Sequence, residues 1–136
     1  MLANEDITLL AGKYKLIQKK DGFRFSVDAV ILSDFFAYTK KGKILDIGTG
    51  NGIIPVLLVS KEKGEDITGI DIQEENVELA KRNVQLNNLN DNIEIVHGDV
   101  KEYSMGNSFD YIVSNPPYME VDGKKQNILS CKSIAR

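Results

Sequence analysis

The stretch Asp46-Ile47-Gly48-Thr49-Gly50-Asn51-Gly52 decides how this chain folds. It completes the short apolar run that begins at Lys43, and it precedes Ile53 to Lys63, where Ile54, Leu57 and Leu58 fall at helical spacing. Glycines at alternate positions between such segments make a tight strand-to-helix turn. A ligand can approach its backbone closely, and amide N–H groups are aimed at an anion. The plainer alternative is a connector that needs glycine for backbone shape alone. Pro55 falls in the first helical turn, where its missing N–H is not needed, and Gly64 closes the helix.

The same alternation continues downstream. Asp66 to Ile72 reads as a second strand, and Gln73 to Asn88 as a second helix with Val77, Ala80, Val84 and Asn87 along one side. Ile93 to Val96 and Phe109 to Ser114 read as further strands. Short buried strands joined by helices predict an α/β fold with a parallel wound sheet. Upstream, Tyr14 to Gln18 predicts a strand paired across Lys20-Asp21-Gly22 with Phe23 to Phe25. Asp28 to Tyr38 then predicts a helix, and together they form an N-terminal hairpin and helix cover beside the sheet.

Composition sets the limits. The 136 residues suit one domain, and 42% hydrophobic with 27% charged residues is ordinary for a folded globular chain. No apolar run reaches membrane-helix length, Met1 to Asp6 lacks the layout of a secretory signal, and the single cysteine, Cys131, cannot form an internal disulfide. These features predict a cytoplasmic protein. Net charge is -3, but it is unevenly spread: residues 1–43 hold eight Lys/Arg against five Asp/Glu, and residues 44–136 hold nine against fifteen. The basic excess, mostly Lys13, Lys15, Lys19, Lys20 and Arg24, suits a nucleic-acid approach surface or simply a solvated face.

Four positions carry the chemistry. The glycine turn fits neither frame of the dinucleotide fingerprint G-x-G-x-x-G, because Ile53 or Pro55 stands where the last glycine belongs; the G-x-x-x-x-G-K-[ST] phosphate loop is absent. Asp71, at the end of the second strand, can accept the hydroxyl protons of a ribose, or cap the helix that follows. Gly98-Asp99 is positioned to accept from an adenine amino group, or to serve as a turn. In Asn115-Pro116-Pro117-Tyr118 the two prolines stiffen the backbone, so the Asn115 side chain and the Pro116 carbonyl can accept both protons of one planar amino group while Tyr118 stacks against it. An inert loop start is the alternative there. His97, the only histidine, reads as a turn or packing residue.

In this order, Asp46-x-Gly48-x-Gly50-x-Gly52, Asp71, Asp99 and Asn115-Pro116-Pro117-Tyr118 resemble the amino-methylating branch of the Rossmann-like methyltransferases, across residues 43 to 118. The segment from Asp21 to Phe35 is similar to the lead-in of the bacterial tRNA(Val) adenine-N6 methyltransferases. The resemblance implies a partial parallel sheet of the first four strands with flanking helices. It implies S-adenosylmethionine as cofactor, no metal, and tRNA as the partner whose adenine N6 is methylated by in-line displacement. It also implies roles for residues: Phe25 and Asp28 close the cofactor pocket, Asp46, Gly48, Gly50, Asp71 and Asp99 hold the cofactor, and Asn115, Pro116 and Tyr118 hold the base.

Two other readings share these motifs. A protein glutamine-amide methyltransferase also presents a planar amino group to Asn-Pro-Pro-Tyr, and a cofactor-binding module without catalysis would keep the turn. The family's sheet continues beyond this strand, so one domain of three parts is expected: a cover over residues 1–42, a cofactor core over 43–118 and a truncated tail over 119–136. The Phe109–Ser114 strand is then an edge open to self-association.

Overall fold

The computed structural model describes residues 4–10, 12–20, 27–103, 108–114, 120–121 and 124–125. Four parallel strands make the central sheet: β3 (Ile44–Ile47), β4 (Ile67–Asp71), β5 (Ile93–His97) and β6 (Tyr111–Ser114), in the order β5-β4-β3-β6. β4 is buried along its whole length and β3 over three of its four residues. A strand covered on both faces reads as a near-continuous apolar run, and these segments do apart from Asp46, Thr68 and Asp71. The chain steps from β3 outward to β5, then returns to the other side of β3 as β6. That reversal leaves a crevice at the carboxyl ends of β3 and β6, the place where open α/β sheets bind ligands.

The connecting helices are α2 (Ile53–Ser60), α3 (Glu74–Leu86) and the single turn α4 (Val100–Tyr103). Val56, Leu57 and Leu58 of α2 and Val77, Ala80 and Val84 of α3 join Ile44 and Ile67 in one core. α2 ends three residues before the expected Lys63, because Glu62 takes a left-handed φ of 59°. Gly64 serves packing rather than the helix end: a Cβ there would lie 2.8 Å from Ile44 Cδ1 and 3.0 Å from Ile67 Cδ1.

The N-terminal cover contains a strand pairing that the sequence does not suggest. β2 (Lys15–Lys19) pairs antiparallel with β1 (Glu5–Leu9), with Ile7 opposite Ile17, and Gly12 turns the chain with φ 61°. Gln18 Nε2 donates to Thr8 Oγ1 across the pair at 2.6 Å. The expected partner, Phe23 to Phe25, lies outside the described residues. α1 (Val27–Phe35) packs on α2 and stops short of Tyr38. Phe36 and Tyr38 leave the helical path to meet Tyr111 of β6, both with ring centroids 5.3 Å from it. The Tyr111 hydroxyl donates to the Lys40 carbonyl at 2.7 Å and accepts from Lys40 N–H at 3.0 Å, which fixes the lead into β3. No helix among the described residues is long and apolar enough to cross a membrane.

Candidate ligand site at the carboxyl ends of the sheet

The glycine turn adopts the conformation its residues predict, with φ of 69° at Gly48, 58° at Gly50 and 86° at Gly52. The three glycines do different work. A Cβ on Gly48 or Gly50 would meet nothing within 4 Å, so both face open space, whereas one on Gly52 would lie 3.3 Å from Ala80 Cβ. Gly52 therefore seats the turn on α3, and the other two leave its front uncovered.

The expectation of N–H groups aimed at an anion needs correction. Gly48 and Thr49 N–H both donate to the Ile70 carbonyl, at 2.9 and 3.0 Å, and Gly52 N–H donates to the Thr49 carbonyl at 2.9 Å. Gly50 N–H donates to Asp71 Oδ2 at 2.9 Å. Four backbone donors of the turn are thus satisfied within the chain, because the turn lies against the end of β4.

Asp71 is buried and braces two elements at once. Besides Gly50, its carboxylate accepts at Oδ1 from Gln73 N–H at 2.9 Å and from Asn76 Nδ2 at 3.3 Å, so it also caps the start of α3. Both sequence readings of this residue are compatible with that geometry: Oδ2 keeps one lone pair, and the long Asn76 bond can be exchanged. Ile72 follows it and is 67% exposed, an apolar side chain held out beside the carboxylate. Sequence reading passed over Ile72, although an apolar residue directly after a strand-end acid was a visible signal.

Asp46, on β3 between Gly69 of β4 and Val113 of β6, is 1% exposed. Neither of its carboxylate oxygens nor the buried Thr49 hydroxyl has a hydrogen-bond partner of regular geometry among the described residues. Burial raises the Asp46 carboxyl to about 7, with a smaller upward push from the Asp71 charge; the adjacent Thr49 hydroxyl pulls the other way. Buried polar groups are nearly always paired, and the group beside the Asp46 carboxyl is the Thr49 hydroxyl.

β5 runs beside β4, and Gly98 N–H donates to the Asp71 carbonyl at 3.0 Å, which brings Asp99 to the same end of the sheet. Asp99 caps α4: its Oδ1 accepts from Lys101 N–H at 2.9 Å and its carbonyl from Glu102 and Tyr103 N–H at 3.0 Å. His97 Nε2 is hydrogen-bonded to the Ile72 carbonyl at 3.0 Å, a structural contact between β5 and the end of β4. The structure therefore brings Asp46, Gly48, Gly50, Asp71 and Asp99 together. Asp28 lies in the first turn of α1, on the helix that packs against α2. Phe25, Asn115, Pro116 and Tyr118 lie outside the described residues. β6 ends at Ser114, opposite Ile47, so the chain leaves that strand beside the glycine turn.

Comparison with known proteins places the chain among methyltransferases. The family model described as methyltransferase small domain matches residues 25–132. The tRNA1(Val) (adenine(37)-N6)-methyltransferase of Flavobacteriaceae bacterium (strain 3519-10) is 30% identical over 129 residues, covering 90% of this chain and 56% of that protein. The release factor glutamine methyltransferase of Aliivibrio fischeri is 44% identical over 78 residues, covering 57% of this chain and 27% of that protein. Among solved structures, M. jannaschii TYW2 in complex with AdoMet shares the fold, with a TM-score of 0.69 at 17% identity over 81% of this chain and 50% of that one. The chain spans about half the length of tRNA1(Val) methyltransferase relatives it matches.

Proposed function

We propose that this chain, which belongs to the methyltransferase small-domain family, is the cofactor-binding part of an S-adenosylmethionine-dependent methyltransferase that modifies the exocyclic N6 amino group of an adenine in tRNA. The observation that carries the reading is the uncovered front of Gly48 and Gly50, with Gly50 N–H bonded to the Asp71 carboxylate and the buried Asp46 carboxyl behind. The donor set suits this cofactor. Asp46 and the Thr49 hydroxyl would take its ammonium end, the remaining lone pair of Asp71 a ribose hydroxyl, Ile72 a face of its purine, and Asp99 the purine amino group. Phe25 and Asp28 would close the pocket over it.

When bound, the sulfonium supplies an activated methyl group with a good neutral leaving group, so the protein's task is positioning. In this reading the Asn115 side chain and the Pro116 carbonyl accept the two protons of the target amino group, turning its lone pair out of the base plane. Tyr118 stacks on the base and holds it flat. Work on tRNA fits a cytoplasmic protein.

A second reading, methylation of a protein glutamine amide, is favoured by the 44% identity to a release factor glutamine methyltransferase. The relatives acting on tRNA are similar over more of the chain, which supports the first. Calorimetric titration of the chain with S-adenosylmethionine and S-adenosylhomocysteine tests the cofactor assignment, with NADH as comparison; binding of NADH alone would sink it. Transfer of labelled methyl to unmodified tRNA or to a release factor then separates the substrates.

A further inference from the structure

We infer that the concavity between the β1–β2 turn and the carboxyl end of α3 docks the phosphodiester backbone of RNA, an inference that rests on the tRNA reading above. Its volume is about 280 Å³, and Lys13, Tyr14 and Lys15 face Asn87 and Asn88 across it. Among the described residues no carboxylate lines it. In a chain of net charge -3, two lysines without an acid form a local basic spot.

Two members of the basic N-terminal excess, Lys13 and Lys15, line this spot. Lys19 is ion-paired with Glu75, whereas among the described residues neither Lys13 nor Lys15 has a carboxylate partner. Lys13 Nζ sits 5.7 Å from the centre of the Tyr14 ring, a contact that fixes the cation and leaves its three N–H donors available. Asn87 holds the backbone of Lys15 by two 2.8 Å hydrogen bonds, so the second cation starts from a fixed position. Lysines near a helix end often serve its last carbonyls. Here those of Asn83, Val84 and Gln85 already accept from Asn87, Leu89 and Asn88 N–H. The spot is one turn of α3, about 5 Å, beyond Asn83, whose amide touches the glycine turn at the Asn51 carbonyl.

The test is fluorescence anisotropy of a labelled, unmodified tRNA transcript across a salt series, comparing the chain with Lys13→Glu/Lys15→Glu. Losing two phosphate contacts lowers the slope of log K against log salt by about 1.5 to 2, and weakens binding roughly tenfold or more at ~0.1 M salt. S-adenosylhomocysteine affinity should not move. Lys43→Glu/Lys81→Glu, with the same change in net charge, should keep most of the slope, and the milder Lys13→Gln/Lys15→Gln should reproduce the loss if charge reversal disturbs folding. An unchanged slope in the variants, or an equal loss in the control pair, overturns the inference while leaving the tRNA reading intact. Wild-type chain that binds cofactor but no RNA overturns both, as does docking of an acidic release factor in place of RNA.

Discussion

Asn83 and Ile17 form a closed pair across 66 residues of chain: Ile17 N–H donates to Asn83 Oδ1 at 2.6 Å, and Asn83 Nδ2 donates back to the Ile17 carbonyl at 3.1 Å. Asn87, one helical turn later, makes the same pair with Lys15. β1 bonds the other edge of β2, so the two amides act as a substitute strand on this edge. Asn83 Nδ2 also donates to the Asn51 carbonyl at 2.8 Å, joining the N-terminal hairpin to the glycine turn through one side chain.

Replacing Asn83 should therefore be costly. Asn83→Ala strands the Ile17 N–H and two carbonyls in a fully buried place, a loss on the order of 3 kcal/mol, whereas Asn87→Ala should lose about 1 kcal/mol because water can reach that pair. Urea denaturation measures both. Equal losses would mean the buried amide has no special share.

Gly50→Ala and Gly52→Ala should separate folding from binding. Both place alanine at positive φ, a strain of about 1 kcal/mol or slightly more. At Gly52 the added methyl also presses on Ala80, so thermal stability should fall further. At Gly50 it projects into open space, so the extra effect should be on S-adenosylhomocysteine affinity, at least tenfold by calorimetry.

Asp46 predicts an unusual pH dependence. Its folded value, about 7, lies above the ordinary 3.8, so between those pH values the folded chain holds a proton that the unfolded chain has lost. Stability should fall as pH rises through this window, by on the order of 4 kcal/mol in total, and level off above it. A cation placed beside the carboxyl reverses the preference, so cofactor binding near pH 6 should release a proton. Calorimetry in buffers of different ionisation enthalpy reads that proton, and Asp46→Asn should abolish both the release and the slope. A flat urea midpoint between pH 5 and 8 in the wild type would remove the basis for both.

β6 pairs with β3 alone among the described residues. If its second edge is open in solution, the chain should self-associate with rising concentration, as sedimentation velocity would reveal. A monomer throughout would argue that the edge is covered.

Legibility tracked how far apart the partners are in sequence. The central strands and α2 and α3 are readable because each buries its own apolar residues at its own period, with glycine or asparagine at the boundaries. The Gly48–Gly50–Asp71 grouping is readable because one strand and one helix separate its members. β1 inverts the usual pattern: Ile7 and Leu9 are exposed at 46% and 67%, while Glu5 is buried. What makes Glu5 an inside residue is Arg82, which clasps its carboxylate by two 2.7 Å bonds from 77 residues away. Asn87 reads as one more residue on the inner side of α3, and its grip on β2 appears only once the two are folded together. The turn's N–H groups mislead for the same reason, since the Ile70 carbonyl that takes two of them belongs to the next strand.

The self-satisfied turn has a consequence for competition inside a cell, where most adenosine is carried by phosphorylated nucleotides. A pyrophosphate brought to this turn would find Gly48, Thr49, Gly50 and Gly52 with no donor to spare, and the carboxyl groups of Asp46 and Asp71 close by. Its charges would meet the Asp71 carboxylate without a hydrogen bond from those four N–H groups in return, so such molecules should bind more weakly here than a ligand that brings a cation. Main-chain carbonyls hold three of the four donors, so drift in the surrounding side chains would free Gly50 alone.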